Sequence, residues 1–165
     1  MNIIKKTIPE DSNVFKEFLD KLELTYFDNA HSEDEEVRNK HEKMFQDLVE
    51  EKKAYELCRE VVNEEYITEI FTDVEIMGYV AKLNGEYVGF ILFKKAVSRE
   101  NELYLSLVGT KPKIGMPLGQ ILISIMEEVA NESDMHTIIA DSVEGAIEFY
   151  KKNGWDVLEK DNEDN

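Results

Sequence analysis

The sequence predicts an α+β fold: a mixed, mostly antiparallel central sheet flanked by helices. Three observations carry the prediction. Two strand-like runs, residues 77–83 and 87–93, are joined by Asn84-Gly85, the strongest short hairpin signal. A third run, residues 102–108, is apolar and rich in β-favouring residues, and it passes through a loop punctuated by Gly and Pro, residues 109–117. That loop feeds a segment in which Leu118, Ile121, Leu122, Ile125, Met126 and Val129 recur at steps of three and four, one face of an amphipathic helix ending near Ala130.

The other elements follow in chain order. Residues 3–8 read as a first strand stopped by Pro9. Asp11 or Ser12 caps a helix running to about Leu24, with Val14, Phe15, Phe18, Leu19 and Leu22 on its buried face. Residues 26–30 are a break. Ser32 with Glu35 has the form of a capping box, and a helical region extends over about 33–66. That is long for one globular helix, so a break is expected near residues 51–53. Residues 98–101 turn the chain into the 102–108 strand. After the 118–130 helix, residues 137–140 read as a short strand and Ser142 as the cap of a helix over 143–152, ended by Asn153-Gly154 in a left-handed arrangement. Residues 155–158 form a last strand. No repeat or linker interrupts the 165 residues, so one domain is expected, with an acidic helical segment at about 32–75 and a short frayed tail at 161–165.

Charge narrows the function. A formal net charge of −17 repels a nucleic-acid backbone or an anionic membrane, and it suits a cationic substrate such as an amine or basic peptide. The excess is concentrated in residues 32–75, with 15 acidic against 6 basic. Most of it reads as a solvated outer face; a fraction could rim a site for a positive substrate. The single cysteine, Cys58, fits a reducing compartment and reads as a small core residue rather than a nucleophile. No apolar run approaches the roughly 20 residues of a membrane span, and the first residues lack the order of a signal peptide, so a cytoplasmic location is expected. His31, His41 and His136 show no metal-ligand spacing.

The loop before the 118–130 helix has two readings. The first turn of a helix leaves backbone N–H groups without intrahelical partners and carries the positive dipole end, so it can hold a phosphate where small residues let the ligand approach. Gly115 and Gly119 permit that approach, with Lys111 and Lys113 alongside. Equally, such a joint can be a plain connection.

Two stretches carry a family resemblance. Residues 146–155, Ala-Ile-Glu-Phe-Tyr-Lys-Lys-Asn-Gly-Trp, resemble the A-x-x-x-Y-x-x-x-G-F segment of the GNAT family of acyl-CoA-dependent N-acetyltransferases, with Trp155 in place of the usual Phe. Residues 83–89 are similar to the family's x-x-G-x-x-V-G hairpin. The family's pyrophosphate motif, R/Q-x-x-G-x-G/A, is met imperfectly by residues 114–119. Either Gly119 is its last small residue and Pro117 replaces the middle glycine, or Gly115 is the middle glycine and Pro117 takes the last position. Val143 stands where many members have an Asn.

The resemblance implies a GNAT-like sheet with two splayed parallel strands, acetyl-CoA as acyl donor, and a small-molecule or peptide amine as acceptor. It implies direct attack in a ternary complex, with Tyr150 as general acid toward the thiolate. It places the donor along Leu107, Val108 and Gly109, at Lys113, Ile114, Gly115, Met116, Leu118, Gly119 and Gln120, and beside Ser142 and Ala146. Glu102 is a candidate base: it lies six residues before Val108, an even count that puts both side chains on one face of a regular strand. A solvated strand-end acid is the competing reading of Glu102. Dimers are common in the family, but no residue indicates a pairing edge. The rival function is a non-catalytic module whose acidic surface docks a basic partner.

Overall fold

The computed structural model of the protein describes residues 2–9, 15–29, 34–58, 63–96, 101–142 and 144–160. Its centre is β4, Glu86–Lys95, whose apolar run is buried on both faces, the condition of a strand inside a sheet covered on two sides. Ile91 and Phe93 enter one core and Phe90 and Leu92 another. β3, Met77–Leu83, precedes it through the Asn84-Gly85 turn, where φ values of 52° and 82° match the mirror-image turn that suits strand twist. β5, Glu102–Thr110, follows. With β1 (Asn2–Thr7), β2 (Glu23–Asp28), β6 (Thr137–Ser142) and β7 (Asp156–Lys160) they form a seven-stranded sheet in the order β2-β3-β4-β5-β6-β1-β7. All neighbours are antiparallel except β5 and β6, which are parallel. The expected mixed, mostly antiparallel α+β sheet is therefore the one observed.

One face is covered by α5, Leu118–Glu132. Its Leu118, Ile121, Leu122, Ile125 and Met126 bury as the periodicity requires, together with Ala130. Glu127 is buried with them and its carboxylate holds the Lys6 ammonium from β1, tying helix to sheet across the core. Removing one partner of a buried pair strands the other charge. Glu127→Ala is thus expected to cost about 3 kcal/mol, read as a fall in melting temperature of roughly 6–12 °C; a change of under about 2 °C would show that the pair contributes little.

The other face is covered by α2 (Glu35–Phe45), α3 (Lys53–Leu57) and α4 (Glu64–Thr72), over a core that includes Phe27, Leu48, Ile67, Phe71 and Phe90. The long helical stretch breaks where expected: a π-helical turn spans Gln46–Glu50 and Lys52 takes a left-handed φ of 63°. α4 starts at the Asn63 cap, whose side chain accepts from the Tyr66 N–H at 2.8 Å, and runs to Thr72, beyond the expected end at residue 66.

Three expectations need correction. The first helix, α1, is only Lys16–Leu19, and residues 23–28 form β2 instead of helix and break. The reason is cross-strand: Tyr26 pairs with Tyr79 in register, their rings 5.1 Å apart, and aromatic and β-branched residues gain more on a half-buried sheet than in a helix. α2 is capped by Asp34, whose carboxylate accepts from the Glu36 and Val37 amides, whereas the proposed Ser32 cap lies outside the described residues. The N-cap of α6, Ile147–Lys152, is Ala146, not Ser142. Ser142 is the buried last residue of β6, followed by a 3-10 turn, Glu144–Ala146, and α6. Asp11, Ser12, Val14, Val143 and the tail at 161–165 also lie outside the described residues.

Candidate active site

The parallel pair β5–β6 is in register from Glu102 opposite Thr137 to Leu105 opposite Ala140, and no further. Beyond that, β5 stays with β4 as far as Thr110 and β6 stays with β1 as far as Ser142. The two strands thus part and open a wedge. A bulge marks the parting point: Leu105 faces Phe93 and Leu107 faces Leu92, leaving Ser106 as the extra residue. A bulge bends its strand and increases local twist, and here it turns β5 away from β6. Along the β5 edge that faces the wedge, Leu107, Val108 and Gly109 have left the pairing with β6. Gly109 is packed closely on its other side. A Cβ there would lie 2.6 Å from the Phe90 ring and 3.0 Å from Cys58 Sγ.

The loop after β5 is built from left-handed residues. Lys113 has φ 60° and Gly115 φ 80°, the latter with open space where a side chain would be. Ile114 and Met116 pack their side chains against the α5-side core, which pins the loop backbone. Pro117 is the N-cap of α5, with no side-chain cap hydrogen bond. Leu118 donates to the Met116 carbonyl and Ile121 to that of Pro117. Among the described residues nothing accepts from the amides of Gly115, Met116, Gly119 and Gln120. Pro117 at the cap has no N–H, so the helix start presents the amides of Gly119 and Gln120 rather than one from the cap. Amides at a turn and a helix start that have no protein acceptor are donors of the kind that can hold an anion, and exposed Lys113 lies in the same loop.

Gly119 serves packing as well as access. Its missing side chain makes room for Phe149 of α6, whose ring lies 3.3 Å from where a Cβ would stand. Phe149 is 39% exposed, and Tyr150 is the residue packed against the core. The Asn153-Gly154 ending explains the placement of Tyr150. Gly154, at φ 86°, and Trp155 donate back to the Lys151 and Tyr150 carbonyls, a Schellman closure that brings Trp155 under the Tyr150 ring at 5.2 Å. Ala146 caps α6, and Ser142 ends β6 on the far side of the wedge.

Glu102 sits at the closed end of the seam. Its side chain is 9% exposed and ion-paired with Lys5 at 2.8 Å. The even-count expectation fails because of the bulge: Leu103, Leu105 and Val108 reach the α5-side core while Leu107 reaches the opposite one, so Glu102 and Val108 are on different faces.

Sequence reasoning missed a polar pair on that second face. The Tyr104 hydroxyl donates to the Asp141 carboxylate at 2.9 Å, joining β5 and β6 just as they part. Burial and then this bond hold the Tyr104 phenol far above its ordinary range. Tyr66, at the start of α4, is raised by burial and by the Asp141 charge. The available signal was local: Tyr104 alternates with Leu103 and Leu105, and Asp141 ends an apolar strand.

Burial pushes the Cys58 thiol up to about 12 from 9.0, which keeps it neutral and makes it a poor nucleophile. The unfolded chain ionises this thiol first, so stability is unaffected below about pH 9 and declines as pH rises toward 12. Tyr26 and Tyr87, raised to about 12 mainly by burial, add to the decline from about pH 10. Cys58→Ser should remove the earliest part of the decline in urea midpoints between pH 8 and 11; equal declines in both proteins would refute the assignment. Among the described residues no group of side chains could hold a metal ion, and no helix is long and apolar enough to cross a membrane.

This seven-stranded mixed sheet with helices on both faces matches the fold of solved acetyltransferases. The sequence matches the family model described as "Acetyltransferase (GNAT) family" over residues 21–155, and the chain belongs to that family. No curated protein matches it. Among solved structures it is similar to an aminoglycoside acetyltransferase from an uncultured soil metagenomic sample, in complex with sisomicin, at 12% identity and TM-score 0.56 over 87% of this chain and 93% of that one. It is also similar to ribosomal-protein-alanine N-acetyltransferase from Brucella melitensis biovar Abortus 2308, at 11%, TM-score 0.55, 85% and 93%. A third is the PaiA N-acetyltransferase from Thermoplasma acidophilum in complex with coenzyme A, at 16%, TM-score 0.53, 86% and 93%.

Proposed function

We propose that the protein is an N-acetyltransferase that moves an acetyl group from acetyl-CoA directly to a primary amine. The observation that carries this reading is the wedge between β5 and β6, opened at the Ser106 bulge and leading into the unpaired amides of the 113–120 loop. The amides of Gly115, Met116, Gly119 and Gln120 and the Lys113 side chain would hold the donor's pyrophosphate. Leu107, Val108 and Gly109 would line the thioester arm on one side of the wedge, with Ser142 and Ala146 on the other. The donor supplies a thioester carbonyl, and donors along the freed β5 edge would polarise it.

In the reaction the amine lone pair forms a C–N bond to that carbonyl carbon, and the C–S bond breaks. Tyr150 gives its hydroxyl proton to the departing sulfur and is reprotonated from solvent. The nitrogen releases one proton to water. Glu102, held by Lys5 at the closed end of the seam, is assigned to stabilising the strand pair rather than to this transfer. The structural neighbours include an aminoglycoside acetyltransferase and a ribosomal-protein-alanine N-acetyltransferase, which supports an amine acceptor.

Isothermal titration with acetyl-CoA, followed by an amine panel read through CoA release, tests the reading. Micromolar binding with amine-dependent turnover is expected. Binding without turnover on any amine would assign the fold a non-catalytic role.

A further inference from the structure

We propose that Asp141, hydrogen-bonded to Tyr104 where β5 and β6 part, anchors a second, non-reacting ammonium group of the acceptor, so that the preferred substrates are diamines or larger polycations. The inference rests on the acetyl-transfer reading and names the substrate class of that site.

Position is the first argument. Asp141 is the first residue of β6 past the last β5–β6 pair, so its carboxylate stands where the wedge opens. Its bond to Tyr104 puts it on the face opposite α5, because Tyr104 alternates with Leu103 and Leu105, which enter the α5-side core. The amide-lined loop and Tyr150 belong to the α5 side. A donor entering from that side leaves the Asp141 side for the acceptor.

Chemistry is the second. Asp141 is exposed, and among the described residues its one hydrogen-bond partner is a neutral hydroxyl and no cation pairs with it. An ionised carboxylate accepts about four hydrogen bonds. The neighbouring cation on this face, Lys5, is already engaged by Glu102. The Tyr104 phenol that donates to the carboxylate is held neutral well above physiological pH by burial and by that bond. An exposed carboxylate with unused acceptor sites attracts an alkylammonium by charge and by hydrogen bonding.

The third argument fixes the number of amines. A carboxylate in contact with an ammonium favours its charged form, and a protonated nitrogen has no lone pair for attack. The nitrogen held at Asp141 is therefore not the one acetylated. A second amine, one short alkyl chain away, reaches the thioester.

Titration of 1,4-diaminobutane and n-butylamine into the CoA-bound protein at 0.15 M salt tests this without requiring turnover. Wild type is expected to favour the diamine by at least about tenfold, and Asp141→Asn to lose that preference while keeping its acetyl-CoA affinity. Tyr104→Phe, which removes the hydrogen bond but leaves the carboxylate, should retain the preference. No diamine preference in wild type, or an undiminished one in Asp141→Asn, overturns the assignment. Failure of the transfer reading would look different: diamine preference intact, with no acetylated product.

Discussion

Replacing Tyr150 by Phe is expected to lower kcat by about 10²-fold while leaving acetyl-CoA affinity and thermal stability unchanged. The substitution removes one oxygen. The ring keeps its edge contacts with Phe149 and Trp155, at 5.3 and 5.2 Å, so the packing of α6 against the core persists. On the proposed mechanism, what is lost is the proton for the departing thiolate, a group that carries negative charge only as the C–S bond breaks. An effect confined to the transition state appears in kcat and in kcat/KM alike, with donor binding intact. Steady-state rates measured by thiol release, with donor affinity from titration, separate the two. An unchanged kcat would mean that solvent protonates the sulfur and Tyr150 is only a packed aromatic.

Gly78→Ala is expected to be the most damaging single methyl in the fold, costing about 4 kcal/mol or more, read as a fall in melting temperature of at least roughly 8 °C or as loss of soluble protein. Gly78 lies in β3 opposite Leu92 of β4 and Phe27 of β2. A Cβ there would stand 2.0 Å from the Ile91 carbonyl oxygen and 3.1 Å from its carbon. Both obstacles are backbone, so no rotamer change relieves the contact. The β3–β4 ladder would have to open between the two cores that Ile91, Phe90 and Leu92 hold. A shift of only 1–2 °C would show that the ladder yields locally at little cost.

The parts of the fold legible in the sequence are those set by short-range chemistry. Asn84-Gly85 supplies two left-handed residues and makes its hairpin; the apolar face of α5 recurs at helical steps; Gly154 closes α6 with Trp155 under Tyr150. β2 was illegible because its strand character depends on Tyr79, 53 positions away, and on the rest of the β3 pairing. The surface niche of Phe149 was illegible for the same reason, because it is made by Gly119 of another helix.

The candidate site divides in the same way. By itself the sequence determined the loop of glycines and lysines before α5, the Tyr150–Trp155 ending, the acidic charge and the family those stretches resemble, because each depends on neighbours a few residues apart. Only the tertiary structure decided that β5 and β6 part after Leu105 and Ala140, that the Ser106 bulge sends Glu102 to the face opposite Val108, and that Tyr104 meets Asp141 across 37 positions. Pairing register, bulges and contacts between strands are settled by which side chains the two cores accept, and no local pattern encodes that choice.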